Sequence, residues 1–157
     1  LKIDSALIQR GLDTFEGLPH RMQTIKKING VTYINDSKAT NIDAAFYALG
    51  ALQTPIIWIS GGVDKGNDYS TLYPVMNHVK AIIAIGTDNS QLWSAFEQYQ
   101  VVKKEAESME EAVQIAAKIG SKNDTVLLAP ACASFDRFKN FEHRGELFEN
   151  AVNELSQ

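Results

Sequence analysis

A lone cysteine, Cys132, leaves this sequence no internal disulfide to form, which excludes a disulfide-stapled secreted scaffold and points to a reducing, cytoplasmic setting. Long apolar runs are missing too: stretches such as Ala81 to Ile85 and Val126 to Ala129 fall far short of the ~20 residues that cross a bilayer. The opening Leu1-Lys2-Ile3-Asp4-Ser5 lacks the basic-then-apolar layout of a signal peptide. Positive charge is not in excess, with 15 Lys+Arg against 19 Asp+Glu and a net charge of −4. No global field therefore attracts nucleic acid or an anionic membrane; neither is an expected partner, and any anion must be held by a local site. Neither G-x-x-x-x-G-K-S/T nor G-x-G-x-x-G occurs, and His20, His78 and His143 lack the close spacing of metal ligands, so no metal site is expected.

The chain of 157 residues, 45% apolar and 22% charged, has the size and composition of one globular domain. From Thr24 onward its hydrophobic period alternates between strand-like and helix-like, the signature of βαβ units on a parallel sheet. Thr24 to Ile28 and Val31 to Asn35 flank Asn29-Gly30, a pair suited to a type I′ turn, and predict an antiparallel hairpin. Further strands are expected at Pro55 to Ser60, Lys80 to Ile85, Val101 to Glu105 and Thr125 to Ala129. Helical stretches are expected near 41–52, 71–78, 89–98, 108–119 and 144–155. The fold class is therefore α/β: a Rossmann-like open sheet of about five parallel strands plus one antiparallel edge strand, with helices on both faces. Residues 1–20 read as a helical stretch and a linker through Gly17-Leu18-Pro19, with a domain boundary near His20. Together with the absent initial Met, this reads as a piece of something longer.

Ligands of open α/β sheets gather beyond the carboxyl ends of the strands. Three loops expected there are rich in polar and small residues: Asn35 to Asn41, Ser60 to Asp68, and Pro130 to Asp136. In the first, Thr40 or Asn41 suits a helix N-cap, but capping does not require Asp36 and Lys38 beside it. Asp36 can accept from ribose hydroxyls or hold a metal's water, and Lys38 can meet a phosphate or carboxylate at the helix start. In the second, Gly61 and Gly62 permit positive φ or close backbone approach and Lys65 adds a point charge; a solvated turn is the competing reading. In the third, Phe135, Phe138 and Phe141 would form an apolar ridge if helical, and Cys132 reads as a small buried residue rather than a nucleophile.

These residues carry a specific resemblance. Gly17-Leu18-Pro19-His20-Arg21, Asn35 to Asn41, Gly61-Gly62 with Lys65, and Ala131 to Asp136 running into Phe138-Lys139-Asn140-Phe141 and Arg144-Gly145 together resemble the C-terminal domain of the Mur ligases, in the branch that adds D-glutamate. The Asp-Asn-Pro-Arg of the branch adding a diamino acid is absent. Residues 21–157 would then be the amino-acid-binding domain, and residues 1–20 the end of a central domain and its linker. The resemblance implies an ATP-dependent amide-forming ligase of peptidoglycan synthesis, in which the carboxylate of UDP-N-acetylmuramoyl-L-alanine becomes an acyl phosphate that the D-glutamate amine attacks. It further implies that Thr40 and Lys65 bind one carboxylate of D-glutamate, and that the Ser134 hydroxyl and the Phe141 backbone N–H bind the other. Lys38 would face the reacting phosphate or acyl group, with Arg21 near the ATP phosphates and Asp36 near the ribose. ATP with Mg2+ would be held mainly by a preceding domain, leaving this chain inactive alone. A folyl-polyglutamate-synthase-like ligase domain and a non-catalytic nucleotide- or amino-acid-binding module are the alternatives.

Overall fold

The computed structural model describes residue 4 and residues 17–155; the helical stretch expected before Gly17 lies outside the described residues. A six-stranded sheet has the order β1-β2-β6-β3-β4-β5. Its strands are β1 (Gln23–Ile28), β2 (Val31–Asn35), β3 (Ile56–Ser60), β4 (Val79–Ala84), β5 (Val102–Glu105) and β6 (Thr125–Leu128). Strands β2 to β6 are parallel and β1 pairs antiparallel with β2 at one edge, as the pattern predicts. Asn29 and Gly30 both have positive φ, 51° and 83°, so the tight turn forms where the dipeptide indicates.

The central strands β3 and β6 are buried along their whole length, which explains their continuous apolar runs. Alternate residues serve opposite faces. Ile57, Ile59, Ile83, Val126 and Leu128 pack under α3 (Met109–Ile119) and α4 (Phe141–Glu154). Ile56, Trp58, Ile82 and Leu127 pack under α1 (Ile42–Gly50), α2 (Ser90–Ala95) and the segment Tyr69–His78.

Two local expectations need correction. The stretch near 71–78 is a 3-10 helix spanning Tyr69–His78, with Pro74 inside it; proline has no N–H to give to an α-helical ladder, and Leu72 and Met76 still reach the core. The three phenylalanines form no ridge, because α4 begins only at Phe141, where the Asn140 side chain accepts from the His143 N–H at 2.7 Å. Phe135 is left 72% exposed, whereas Phe138 packs against the core.

Candidate functional site

The first and third polar loops meet because β2 and β6 are neighbours. Asp36 N donates to Leu128 O at 2.8 Å, and Ala131 N donates to Ala39 O at 2.9 Å. The glycine loop closes from the other side: Gly61 N donates to Pro130 O and Val63 N to Ala133 O, each at 2.9 Å. Gly61 and Gly62 have φ of 110° and 142°, and a Cβ at Gly62 would collide with the Ala133 carbonyl. Both properties attributed to these glycines are used, but the backbone that approaches closely is the protein's own. Gly61 and Val63 zip the base of the loop to the third loop, while Lys65 and Gly66 beyond them form an exposed turn.

A cavity of about 520 Å³ opens between the loops, lined by Thr40, Lys65, Ser134 and Phe141, with Asn41, Asn67, Asn140 and Glu142 among the other wall residues. All four positions expected around an amino acid therefore face one space. Thr40, Lys65 and Ser134 have no side-chain hydrogen bond or ion pair among the described residues, although Ser134 is only 2% exposed. Two helices begin at this cavity. Asn41 caps α1 by accepting from Ala44 N at 2.9 Å and Asn140 caps α4, so both helix N-termini direct partial positive charge toward the opening. The space suits an anion, and its two separated N-termini suit an anion with two ends.

Asp36, Lys38 and Arg21 stand outside this lining. The Asp36 carboxylate accepts from Met22 N at 3.2 Å, and its pKa is raised by burial against the opposing effects of that bond and of Arg21, which is exposed nearby. The Lys38 ammonium lies 3.7 Å from the centre of the Phe141 ring. Cys132 is buried and accepts from Asn67 Nδ2 at 3.3 Å; burial pushes its thiol pKa up, in keeping with a structural role.

The frame around the cavity contains residues that sequence reasoning left without a role. Arg144, fully buried in α4, donates to Ser37 Oγ at 3.0 Å, Ser37 O at 2.8 Å and Cys132 O at 3.1 Å, joining both loops to the helix. Burial lowers its pKa to about 10, so it remains cationic at neutral pH. Asn35 donates both to His20 Nδ1 and to Gly145 O at 3.0 Å. Asp64 accepts from Gly66 N at 2.8 Å and from Asn67 N and Tyr69 OH at 2.9 Å, fixing the turn that carries Lys65. Buried polar residues such as Arg144 and Asn35 signal a framework, yet nothing in their spacing identifies their partners.

Residues 20–132 match the family described as Mur ligase, glutamate ligase domain. The chain belongs to this family. The Mur ligase domain is 50% identical over 156 residues to a UDP-N-acetylmuramoylalanine–D-glutamate ligase of Christiangramia forsetii, covering 99% of this chain and 35% of that protein. It is 49% identical to the enzyme of the same name from Cytophaga hutchinsonii, covering 92% of this chain and 32% of that one. The Mur ligase domain thus spans about a third of the curated relatives it matches. A solved bifunctional folylpolyglutamate synthase/dihydrofolate synthase from Yersinia pestis, complexed with AMPPNP and Mn ion, shares the fold with a TM-score of 0.66 at 20% identity, over 99% of this chain and 36% of that one.

Proposed function

We propose that this chain is the amino-acid-binding part of an ATP-dependent ligase that joins D-glutamate to UDP-N-acetylmuramoyl-L-alanine in peptidoglycan synthesis. The observation that carries this reading is the convergence of Thr40, Lys65, Ser134 and the N-terminus of α4 on one cavity, in a chain half identical to D-glutamate ligases. Lys65 with the Thr40 hydroxyl holds one carboxylate of D-glutamate. The Ser134 hydroxyl and the Phe141 N–H, at the start of α4, hold the other. One cation and several neutral donors bind both ends while leaving the amine free to attack, and the spacing of the two donor sets disfavours D-aspartate, whose shorter chain leaves one set unpaired.

ATP, when bound, supplies the phosphoryl group that activates the muramoyl-alanine carboxylate. On this chain, Arg21 and Asp36 fit a nucleotide contact: an exposed guanidinium beside a carboxylate with acceptor capacity left for a ribose hydroxyl. Lys38 offers positive charge to the reacting acyl group, and the cavity donors hold the amine in line for attack on the acyl carbon. Phosphate then leaves and the amine loses a proton, giving the amide. The described residues contain no group of three or more His, Cys, Asp or Glu able to hold a metal ion.

Lys65→Ala in the full-length enzyme removes a charge-assisted contact of about 1.5–3 kcal/mol, so D-glutamate use is expected to fall about 10- to 150-fold. Steady-state kinetics with D-glutamate varied provide the check; unchanged KM and kcat would take Lys65 out of the site. Running the same protein with muramoyl-alanine and with a folate acceptor separates this reading from folyl-polyglutamate synthesis.

A further inference from the structure

Lys38 is tied to the amino-acid cavity through a ring. Its backbone N–H donates to the His20 carbonyl at 3.1 Å, and its ammonium stands 3.7 Å from the Phe141 ring centre. The Phe141 ring and the His20 imidazole pack in a T-shape, with centroids 6.3 Å apart and planes at 81°. His20 is buried and receives the Asn35 amide at 3.0 Å, while Gly145 presses against it so closely that a Cβ there would collide with the imidazole. The ring touching Lys38 is therefore backed by a fixed stack rather than by solvent. The Lys38 side chain has no hydrogen bond or ion pair among the described residues.

Resting on the proposed ligase reading, we propose that the Phe141 side chain is a positioning group for Lys38, so that one residue serves both halves of the reaction. Its backbone N–H holds a D-glutamate carboxylate, and its ring aims the lysine at the acyl group that the D-glutamate amine attacks. A cation over an aromatic face is attracted without using its N–H donors, so the ammonium keeps all three for the reacting oxygens. A carboxylate partner would instead occupy those donors and cancel the charge. The arrangement leaves Lys38 aimed and undiminished.

The test is Phe141→Leu in the full-length enzyme, which deletes the ring and keeps the backbone N–H. The expected result is a kcat about five- to thirty-fold lower with KM for D-glutamate within about twofold of the parent, and recovery of most of the loss in Phe141→Tyr. Equal loss in the leucine and tyrosine variants, a fall carried by KM, or no change in either constant would each overturn the proposal. A spectroscopic readout is independent of turnover: with the ammonium over the ring, the Lys38 Cε protons should resonate upfield of other lysines, moving to ordinary positions in Phe141→Leu. If the parent enzyme ligates no D-glutamate, the ligase reading has failed; if it does and the Lys38 protons resonate with the other lysines, the positioning proposal alone has failed.

Discussion

Asp36 shows at the residue scale how a buried carboxylate costs stability. Its pKa is raised chiefly by burial, so the ionised form is less favourable folded than unfolded. A carboxyl with a raised folded-state pKa contributes its full stability below the unfolded pKa and loses it as pH rises through the folded value. Asp36→Asn removes the ionisation and keeps an oxygen that can accept from Met22. The melting temperature of Asp36→Asn should therefore exceed the parent's at pH 7, with the gap closing as pH falls into the carboxylate range, while nucleotide affinity declines. Thermal unfolding across pH provides the comparison, and a melting temperature below the parent's at pH 7 would contradict it. Asp36 was legible as a candidate because an acid at a strand end beside Lys38 exceeds what a helix cap needs. Arg144 was not: an arginine four residues past Asn140 looks like a solvated helical position until the fold places Ser37 and the Cys132 carbonyl around it.

At the scale of elements, the strands were readable because burial on both faces writes continuous apolar runs, as in Ile56–Ser60 and Thr125–Leu128. The segment Tyr69–His78 reads as helical because Leu72, Val75 and Met76 repeat at helical spacing, but that pattern does not register Pro74's missing donor and so does not show that the helix is 3-10. The start of α4 lay three residues before its expected position, though Asn140 ahead of Phe141 and Glu142 is a usable N-terminal signal. The loop carrying Lys65 depends on Asp64, whose carboxylate collects three hydrogen bonds beside it. Asp64→Ala should raise KM for D-glutamate several-fold without deleting any group proposed to touch the substrate. Asp64→Asn, which keeps one acceptor oxygen, should fall between; a D-glutamate KM unchanged in Asp64→Ala would show that the zipped backbone alone holds the loop.

The whole molecule depends on keeping three stretches distant in sequence in one arrangement, and Arg144 is the fastener. Replacing it with methionine retains much of the apolar stem but leaves the Ser37 and Cys132 carbonyls without their donor, which should lower global stability by about 3 kcal/mol. Chemical denaturation measures this directly, and a loss below about 1 kcal/mol would mean that the backbone links between the loops suffice. Sequence pattern supplies the strands and the loops of such a sheet; it does not contain the order of strands across it, which decides that the loops after β2, β3 and β6 share a cavity.

That order has a consequence for synthesis. Because β6 is the last strand made and the one inserted between β2 and β3, a nascent chain halted before Thr125 offers two unsatisfied ladders of backbone donors and acceptors, with nothing of its own to fill the gap. The ribosome must release the final quarter of the domain before the halves can join. Until then β2 and β3 each keep an open edge.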